Sequence, residues 1–249
     1  GGIGSAISRA LAAQGARIAL SGSNGAKLRS FREELNEQYR HSHDGHVEIT
    51  CDLSNSTQVE ELIPAAMDTL GGIDILINNA GVTRDNLAMR MKDDEWNQVI
   101  TINLESTFRL MRAVARPMMK ARFGRIITIT SVVGTTGNPG QMNYCAAKAG
   151  IIGLTRSIAK ETYKNGITAN AICPGWVLTP LVQKQIDARA AAAGQTDAEA
   201  KIALVAEKQP DHEFTTPEDL GALAVFLCSD AARVVRGASY VMDGGWTAQ

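Results

Sequence analysis

Short apolar runs recur along the chain at 17–21, 47–51, 73–77, 125–130, 168–173 and 239–242. Runs this short, bounded by polar or glycine-bearing segments, read as strands. Between them the hydrophobic positions fall into the wider period of a helix, over 5–14, 26–39, 56–70, 94–121, 143–163 and 217–228. Regular alternation of strand and helix predicts an α/β fold, a doubly wound parallel sheet with helices on both faces. Residues 179–209 depart from that rhythm as a charged helical insert, alanine-rich at 188–193, between the last two strands. A long insert after a strand end is expected to be a lid over a site. In a doubly wound sheet the first strand leads into a glycine-rich loop at the sheet's centre. Residue 1 already belongs to such a loop, so a first strand of roughly ten residues is expected to be missing from the chain.

Composition narrows the function. A chain of 249 residues that is 45% hydrophobic can bury one substantial core, so a single domain over 1–249 is expected. The net charge of −1 gives no general attraction to nucleic acid or an anionic membrane. One local exception is an acid-free stretch between Glu105 and Glu161 that holds Arg109, Arg112, Arg116, Lys120, Arg122 and Arg125. It reads as a solvated helix face or as a docking patch for an acidic partner. Cys51, Cys145, Cys173 and Cys228 are scattered without a Cys-x-x-Cys pair, as suits reduced thiols in a cytoplasmic protein. His41, His43 and His46 with Asp44 are the one metal-like cluster, in a polar stretch where no metal is expected. The uncharged run 126–147 is broken by Gly, Pro and Asn and cannot cross a bilayer as a helix.

Three residues carry candidate chemistry. Tyr144 and Lys148 are four apart in a helical run, which puts both side chains on one face. A neighbouring ammonium is expected to lower the phenol pKa toward the working pH and make proton transfer effective. Ser131 follows the strand at 125–130, at the carboxyl end where open α/β sheets bind ligands. A hydroxyl that orients a carbonyl, a tyrosine that supplies a proton and a lysine that tunes it suit carbonyl reduction. Gly1-Gly2-Ile3-Gly4 opens a helix, as a phosphate-cradling loop does. At the end of the second strand Ser21, Ser23 and Asn24 stand where an NAD site usually places an acid, with Lys27 the nearest cation. NADP(H) is therefore favoured, with NAD(H) the alternative.

These motifs, with Asn78-Asn79-Ala80-Gly81 after the third apolar run and Asn103 in the helix before Ser131, resemble the short-chain dehydrogenase/reductase family over essentially the whole chain. The resemblance implies a Rossmann-like fold with Asn103, Ser131, Tyr144 and Lys148 as catalytic residues, Asn103 positioning a water that links Lys148 to solvent. It implies cofactor contacts from Gly2, Ile3, Gly4, Asp52, Leu53, Asn79, Ala80, Gly81, Pro174, Gly175, Val177 and Thr179, besides Tyr144 and Lys148. It also implies a homotetramer paired through the helices at 94–121 and 143–163 and the last strand, where Ile151, Ile152, Leu154 and Ile158 exceed what one buried face needs.

Within the family the chain shows two likenesses. Up to about Pro174 it resembles 3-oxoacyl-acyl-carrier-protein reductases, in Gly81-Val82-Thr83-Arg84-Asp85-Asn86-Leu87 and Gly137-Asn138-Pro139-Gly140-Gln141-Met142-Asn143-Tyr144. Beyond it, Pro174-Gly175-Trp176-Val177-Leu178-Thr179 and the ending Asp243-Gly244-Gly245-Trp246 resemble D-3-hydroxybutyrate dehydrogenases. The latter hold a substrate carboxylate with a polar and basic set. Trp176 and Gln185 match its late part, but Thr83, Val133 and Gln141 stand where those enzymes have glutamine, histidine and lysine. The expected activity is therefore reduction of a 3-oxoacyl thioester or β-keto ester to the 3-hydroxy product. The alternatives are D-3-hydroxybutyrate dehydrogenase and a catalytically silent dinucleotide-binding scaffold. Carrier-protein reductases dock their acidic partner through two basic positions, of which Arg122 matches one and Asn165, beside Lys164, replaces the other.

Overall fold

Strands Gly124–Ile129 and Ile167–Pro174 are buried at every position, because helices cover both of their faces. The computed structural model describes residues 1–39 and 44–248. The strands are β1 (Ala19–Gly22), β2 (Val47–Thr50), β3 (Ile75–Asn78), β4 (Gly124–Ile129), β5 (Ile167–Pro174) and β6 (Ser239–Met242). The helices that position the site are α1 (Gly2–Ala13), α2 (Gly25–Gln38), α3 (Ser56–Leu70), α4 (Asp93–Val99), α5 (Ser106–Ala121), α6 (Val133–Thr136) and α7 (Met142–Thr162). They are followed by α8 (Pro180–Ala193), α9 (Asp197–Ala206) and α10 (Pro217–Cys228).

β3, β4, β5 and β6 form a parallel sheet in that order, and β1 pairs with β2 in a second parallel sheet. Alternation along β4 sends Ile126 to one face, against Val59 and Ile63 of α3 and Val114 and Met118 of α5. Ile127 and Ile129 face the other way, onto Ile7 and Leu11 of α1 and Leu220 and Leu227 of α10. Between β1 and β3 lies a cavity of about 440 Å³, lined by Leu20 and Gly22 on one side and Ile75 and Ile77 on the other. The interruption falls where the doubly wound order places the strand that leads into α1.

Local chemistry sets the boundaries. Asn55 caps α3 by accepting from the Thr57 and Gln58 amides, and Thr216 and Asp219 form a capping box ahead of Pro217 in α10. Gly166 turns the chain into β5 at φ +75°, and a Cβ there would lie 2.4 Å from the Arg122 carbonyl oxygen, so only glycine fits.

Two expectations change. The helix expected over 94–121 is divided: α4 passes into a π-helical stretch, Ile100–Glu105, before α5 begins. One extra residue per turn leaves the hydrophobic period readable on either side, so the sequence hides it. The first helix begins at Gly2 rather than Ser5, because the first-turn N–H groups lack intrahelical partners whatever residues supply them. The insert is helical, as expected. Its α8 and α9 pack through Ile186, Ala200 and Leu204. Its two stems meet at the base, where the Thr215 N–H donates to the Trp176 carbonyl at 3.0 Å and the Leu178 N–H to the Thr215 carbonyl at 3.3 Å.

Among the described residues no helix is long and apolar enough to cross a membrane. His41 and His43 of the histidine cluster lie outside the described residues.

Candidate active site

The end of β4 and the start of α7 are joined through Lys148. Its Nζ donates to the Ile129 carbonyl at 2.8 Å, and its own carbonyl accepts from Thr130 Oγ1 at 2.9 Å. Ser131 is the next residue along, so Lys148 is held one position from the serine. Tyr144 sits one turn earlier on α7, its ring 5.4 Å from the Lys148 Nζ, and packs against Val132 and Val133 beyond Ser131. Glycine at 134 permits this approach, since a Cβ there would come within 2.9 Å of the α7 backbone.

The electrostatics differ from the simple expectation. Burial, then the carboxylate of Asp85, pushes the Tyr144 phenol up to about 12. Burial pulls the Lys148 ammonium down to about 8. The lysine donates to the Ile129 carbonyl, and burial is the leading cause of both shifts.

Asn103 lies in the π-helical stretch and is fully buried. Its Oδ1 accepts from the Val82 N–H at 2.8 Å, and its Nδ2 donates to the Val82 carbonyl at 2.9 Å. The side-chain amide is therefore committed to the turn after β3. A Cβ on Gly81 would lie 3.1 Å from Asn103 Oδ1 and 3.7 Å from Lys148 Nζ, so turn, asparagine and lysine converge.

Residues suited to a dinucleotide gather at the mouth of α1. A Cβ on Gly4 would stand 2.7 Å from Asn79 Nδ2, and one on Gly2 would stand 3.1 Å from Thr179 Cγ2, so both glycines keep the helix end open. α1 has no side-chain cap, which leaves its first N–H groups free for an anion. Gly4, Ser21, Leu53, Asn79 and Ala80 border the gap between β1 and β3, whose remaining lining is largely the apolar interior of the sheet and its helices, Ile7, Leu11, Leu62 and Ile63 among them. The open N-terminus of α1, with Asn79 and Thr179 beside it, fits the pyrophosphate of a nicotinamide dinucleotide.

Other expected contacts are less direct. Asn24 caps α2 by accepting from the Lys27 N–H at 3.0 Å, and Ser23 is exposed outside the cavity lining. The Asp52 carboxylate accepts from the Ser54 N–H and hydroxyl, which holds it below its ordinary pKa. Pro174 ends β5, and Gly175 is pressed against Gln209 and Asp243. Val177 bridges to Thr215, and Thr179 caps α8 beside Gly2. Ile3 packs in the α1–α10 core.

The candidate substrate residues divide in two. Thr83 is half-buried in the loop after β3, Gln141 stands just before α7, and buried Val133 belongs to the cluster against which Tyr144 packs. Gln141 does not offer a free amide, since its Nε2 donates to Asp85 at 3.0 Å and its Oε1 accepts from Asn138 at 3.0 Å. Trp176 packs into the lid core with Phe214 and Val182, and Gln185 is exposed on α8.

Sequence reasoning missed Asn143 and Asp85. Asn143 is fully buried and donates to the Arg84 and Glu95 carbonyls, tying the loop after β3 to the residue before Tyr144. Its place next to the tyrosine was the one available signal. Asp85 lies in a polar loop and gave none.

A family model described as enoyl-(acyl carrier protein) reductase matches residues 1–247. The D-beta-hydroxybutyrate dehydrogenase of Cupriavidus necator is 45% identical over 249 residues, covering 100% of this chain and 95% of that protein. The 3-oxoacyl-(acyl-carrier-protein) reductase FabG of Rickettsia felis is 40% identical over 245 residues, covering 98% and 92%. A second D-beta-hydroxybutyrate dehydrogenase, from Rhizobium meliloti, is 38% identical over 249 residues, covering 100% and 95%.

Proposed function

Since this chain belongs to the short-chain dehydrogenase/reductase family and is a nicotinamide-dependent oxidoreductase, we propose that it reduces a 3-oxoacyl thioester or related β-keto ester to the 3-hydroxy product, with NADP(H). The observation that carries this reading is the joint at Lys148, which gathers Ser131, Tyr144 and Lys148 at the carboxyl end of β4. Ser131 would donate to the substrate carbonyl and orient it. Tyr144, protonated throughout the physiological range, would give its proton to the oxygen as the alcohol forms. Lys148 would hold the ribose and supply positive charge near the phenol. When bound, the nicotinamide supplies the hydride. Asn103 would keep the turn at 79–82 in place beneath it.

The preference for NADP(H) is supported by the end of β1, where Ser21, Ser23 and Asn24 come in close succession and no acid stands among them to repel a 2′-phosphate. The preference for a neutral substrate is supported by Thr83, Val133 and Gln141, none of which supplies a cation, and by the Arg84 guanidinium, which turns to Gln98 and the Thr83 carbonyl. The second reading, interconversion of acetoacetate and 3-hydroxybutyrate, is favoured by the 45% identity to the Cupriavidus necator dehydrogenase. An acyl carrier protein would dock at Arg122, which is exposed at the end of α5 with its guanidinium toward the Lys164 carbonyl. Arg109 and Arg112 of the same basic face are drawn to Glu60 instead. Steady-state rates with acetoacetate and an acetoacetyl thioester, each with NADH and NADPH, test the proposal. Faster reduction of acetoacetate than of the thioester would favour the second reading.

A further inference from the structure

Three consecutive residues of the loop after β3 are bound, in reverse order, to the start of α7. The Arg84 carbonyl accepts from Asn143 Nδ2 at 2.9 Å, Asp85 Oδ2 accepts from Gln141 Nε2 at 3.0 Å, and the Asn86 N–H donates to the Gly140 carbonyl at 2.8 Å. Asn143 also donates to the Glu95 carbonyl and accepts from the Tyr144 N–H at 2.7 Å. The loop is thereby fixed against the segment that presents the tyrosine, and Asp85 is fixed with it.

We propose that Asp85 is a specificity-determining residue whose carboxylate, held at the mouth of the site, disfavours substrates bearing a free carboxylate and so selects neutral β-keto esters and thioesters. The inference rests on the reductase reading above and names the substrate property that the site discriminates.

Four observations carry it. Among the described residues no lysine, arginine or histidine pairs with Asp85, and Arg84 beside it is committed to Gln98 and the Thr83 carbonyl. Glu95, in the first turn of α4, is occupied in capping that helix, accepting from the Lys92 N–H and from Asn86. Gln141 has its amide nitrogen on Asp85 and its oxygen on Asn138, so it cannot swing a donor toward a substrate carboxylate without breaking both bonds. Leu87, two residues after Asp85, and Met142, next to Gln141, are exposed apolar side chains on the same two segments, which suits an acyl chain. The field of Asp85 is felt at Tyr144, where it adds to the upward shift of the phenol. An incoming carboxylate attached to the carbon next to the reacting carbonyl must approach that same field, and like charges repel.

The test compares acetoacetate with methyl acetoacetate, which differ in charge at nearly constant shape. Asp85→Asn keeps an acceptor for Gln141 and removes the charge. It should raise the ratio of the two kcat/KM values, acetoacetate over ester, about fivefold, as expected for loss of one partly screened repulsion. Asp85→Glu should keep the wild-type ratio. In the unmodified enzyme the same ratio should climb as salt is raised from low to physiological strength and beyond, because exposed charges are screened over about 10 Å. That arm needs no variant and stands even if Asp85→Asn does not fold. A ratio that neither the substitution nor salt moves would overturn the inference while leaving the reductase reading intact. Failure of the wild type to reduce methyl acetoacetate with either nicotinamide cofactor would overturn the reading itself, and the inference with it.

Discussion

Asn103 is bound to Val82 at both ends of its amide, receiving the backbone N–H and donating to the carbonyl of the same residue. Such a reciprocal pair does for the turn after β3 what a neighbouring strand does for an edge: it satisfies donor and acceptor together. The π-helical stretch at Ile100–Glu105 carries this side chain. Asn103→Ala leaves both Val82 groups without that partner and should cost about 1–3 kcal/mol. It should also weaken dinucleotide binding, because Gly81 lies within the same turn. Urea unfolding and a cofactor titration on one preparation would check both; intact stability with the substitution would contradict the role.

Tyr144→Phe removes only a hydroxyl from a half-buried ring. Cofactor affinity should persist while kcat falls by about 10²–10⁴, the usual loss for a general acid. Near-normal turnover would rule out Tyr144 as the proton donor.

The Lys148 ammonium has its pKa pulled from 10.5 to about 8 by burial, and the Tyr144 phenol is pushed to about 12. In reduction the tyrosine therefore keeps its proton well past neutrality, and the positive charge of Lys148 is lost first. kcat/KM for reduction should decline above about pH 8, reporting the free enzyme's lysine. Stability moves the other way. Between about 8 and 10.5 the unfolded chain holds the lysine proton that the folded chain has released, so this group's contribution to stability rises with pH. Below about 8 both states hold the proton and the full burial penalty remains. Urea midpoints of wild type and Lys148→Met across pH 7–10 should show this as a narrowing gap.

Gly4→Ala should separate folding from binding. Alanine is a better helix former than glycine, by roughly 0.8–1 kcal/mol. Yet the new Cβ would lie 2.7 Å from Asn79 Nδ2, at the mouth of α1. Thermal unfolding of the unliganded chain should change little while the Kd for NADPH rises at least about tenfold, or 1.4 kcal/mol. An unchanged Kd would remove the α1 mouth from the cofactor site.

The proposed homotetramer rests on residues other than those the sequence suggested. Ile151 and Ile152 are buried in the chain's own core, and Leu154 and Ile158 pack against it. Exposed apolar side chains are instead Trp96 on α4, Phe108 on α5 and Val241 on β6. Light scattering at micromolar concentration should give four copies, and Phe108→Glu should reduce that mass. An active wild-type monomer would refute the assembly.

β4 and β5 were readable to within a residue at either end, because strands covered on both faces become nearly continuous apolar runs. Ser131, Tyr144 and Lys148 were readable because strand end and helix face follow from local spacing. The break of the helix at Ile100 was hidden, since apolar residues flank it on both sides and keep the period. Asp85 was hidden for a different reason: its position depends on three hydrogen bonds to residues more than fifty places away. The lid was legible as helix, but not the packing of α8 on α9 through Ile186, Ala200 and Leu204, which brings together residues far apart in sequence. The opposed pKa shifts of Tyr144 and Lys148 likewise come from burial, which no spacing reports.

At the base of that lid, Trp176 and Leu178 are pinned to Thr215. A segment whose ends meet is, to the rest of the molecule, a single short connection whatever its contents. Closing a longer excursion costs only about 0.6 kcal/mol for each doubling of its length. Residues between these pins can therefore be lengthened, shortened or traded for a homologous stretch while the sheet keeps its register. A chain built this way can acquire the reach of one enzyme and retain the proton chemistry of another, and its substrate range can drift without its fold having to follow.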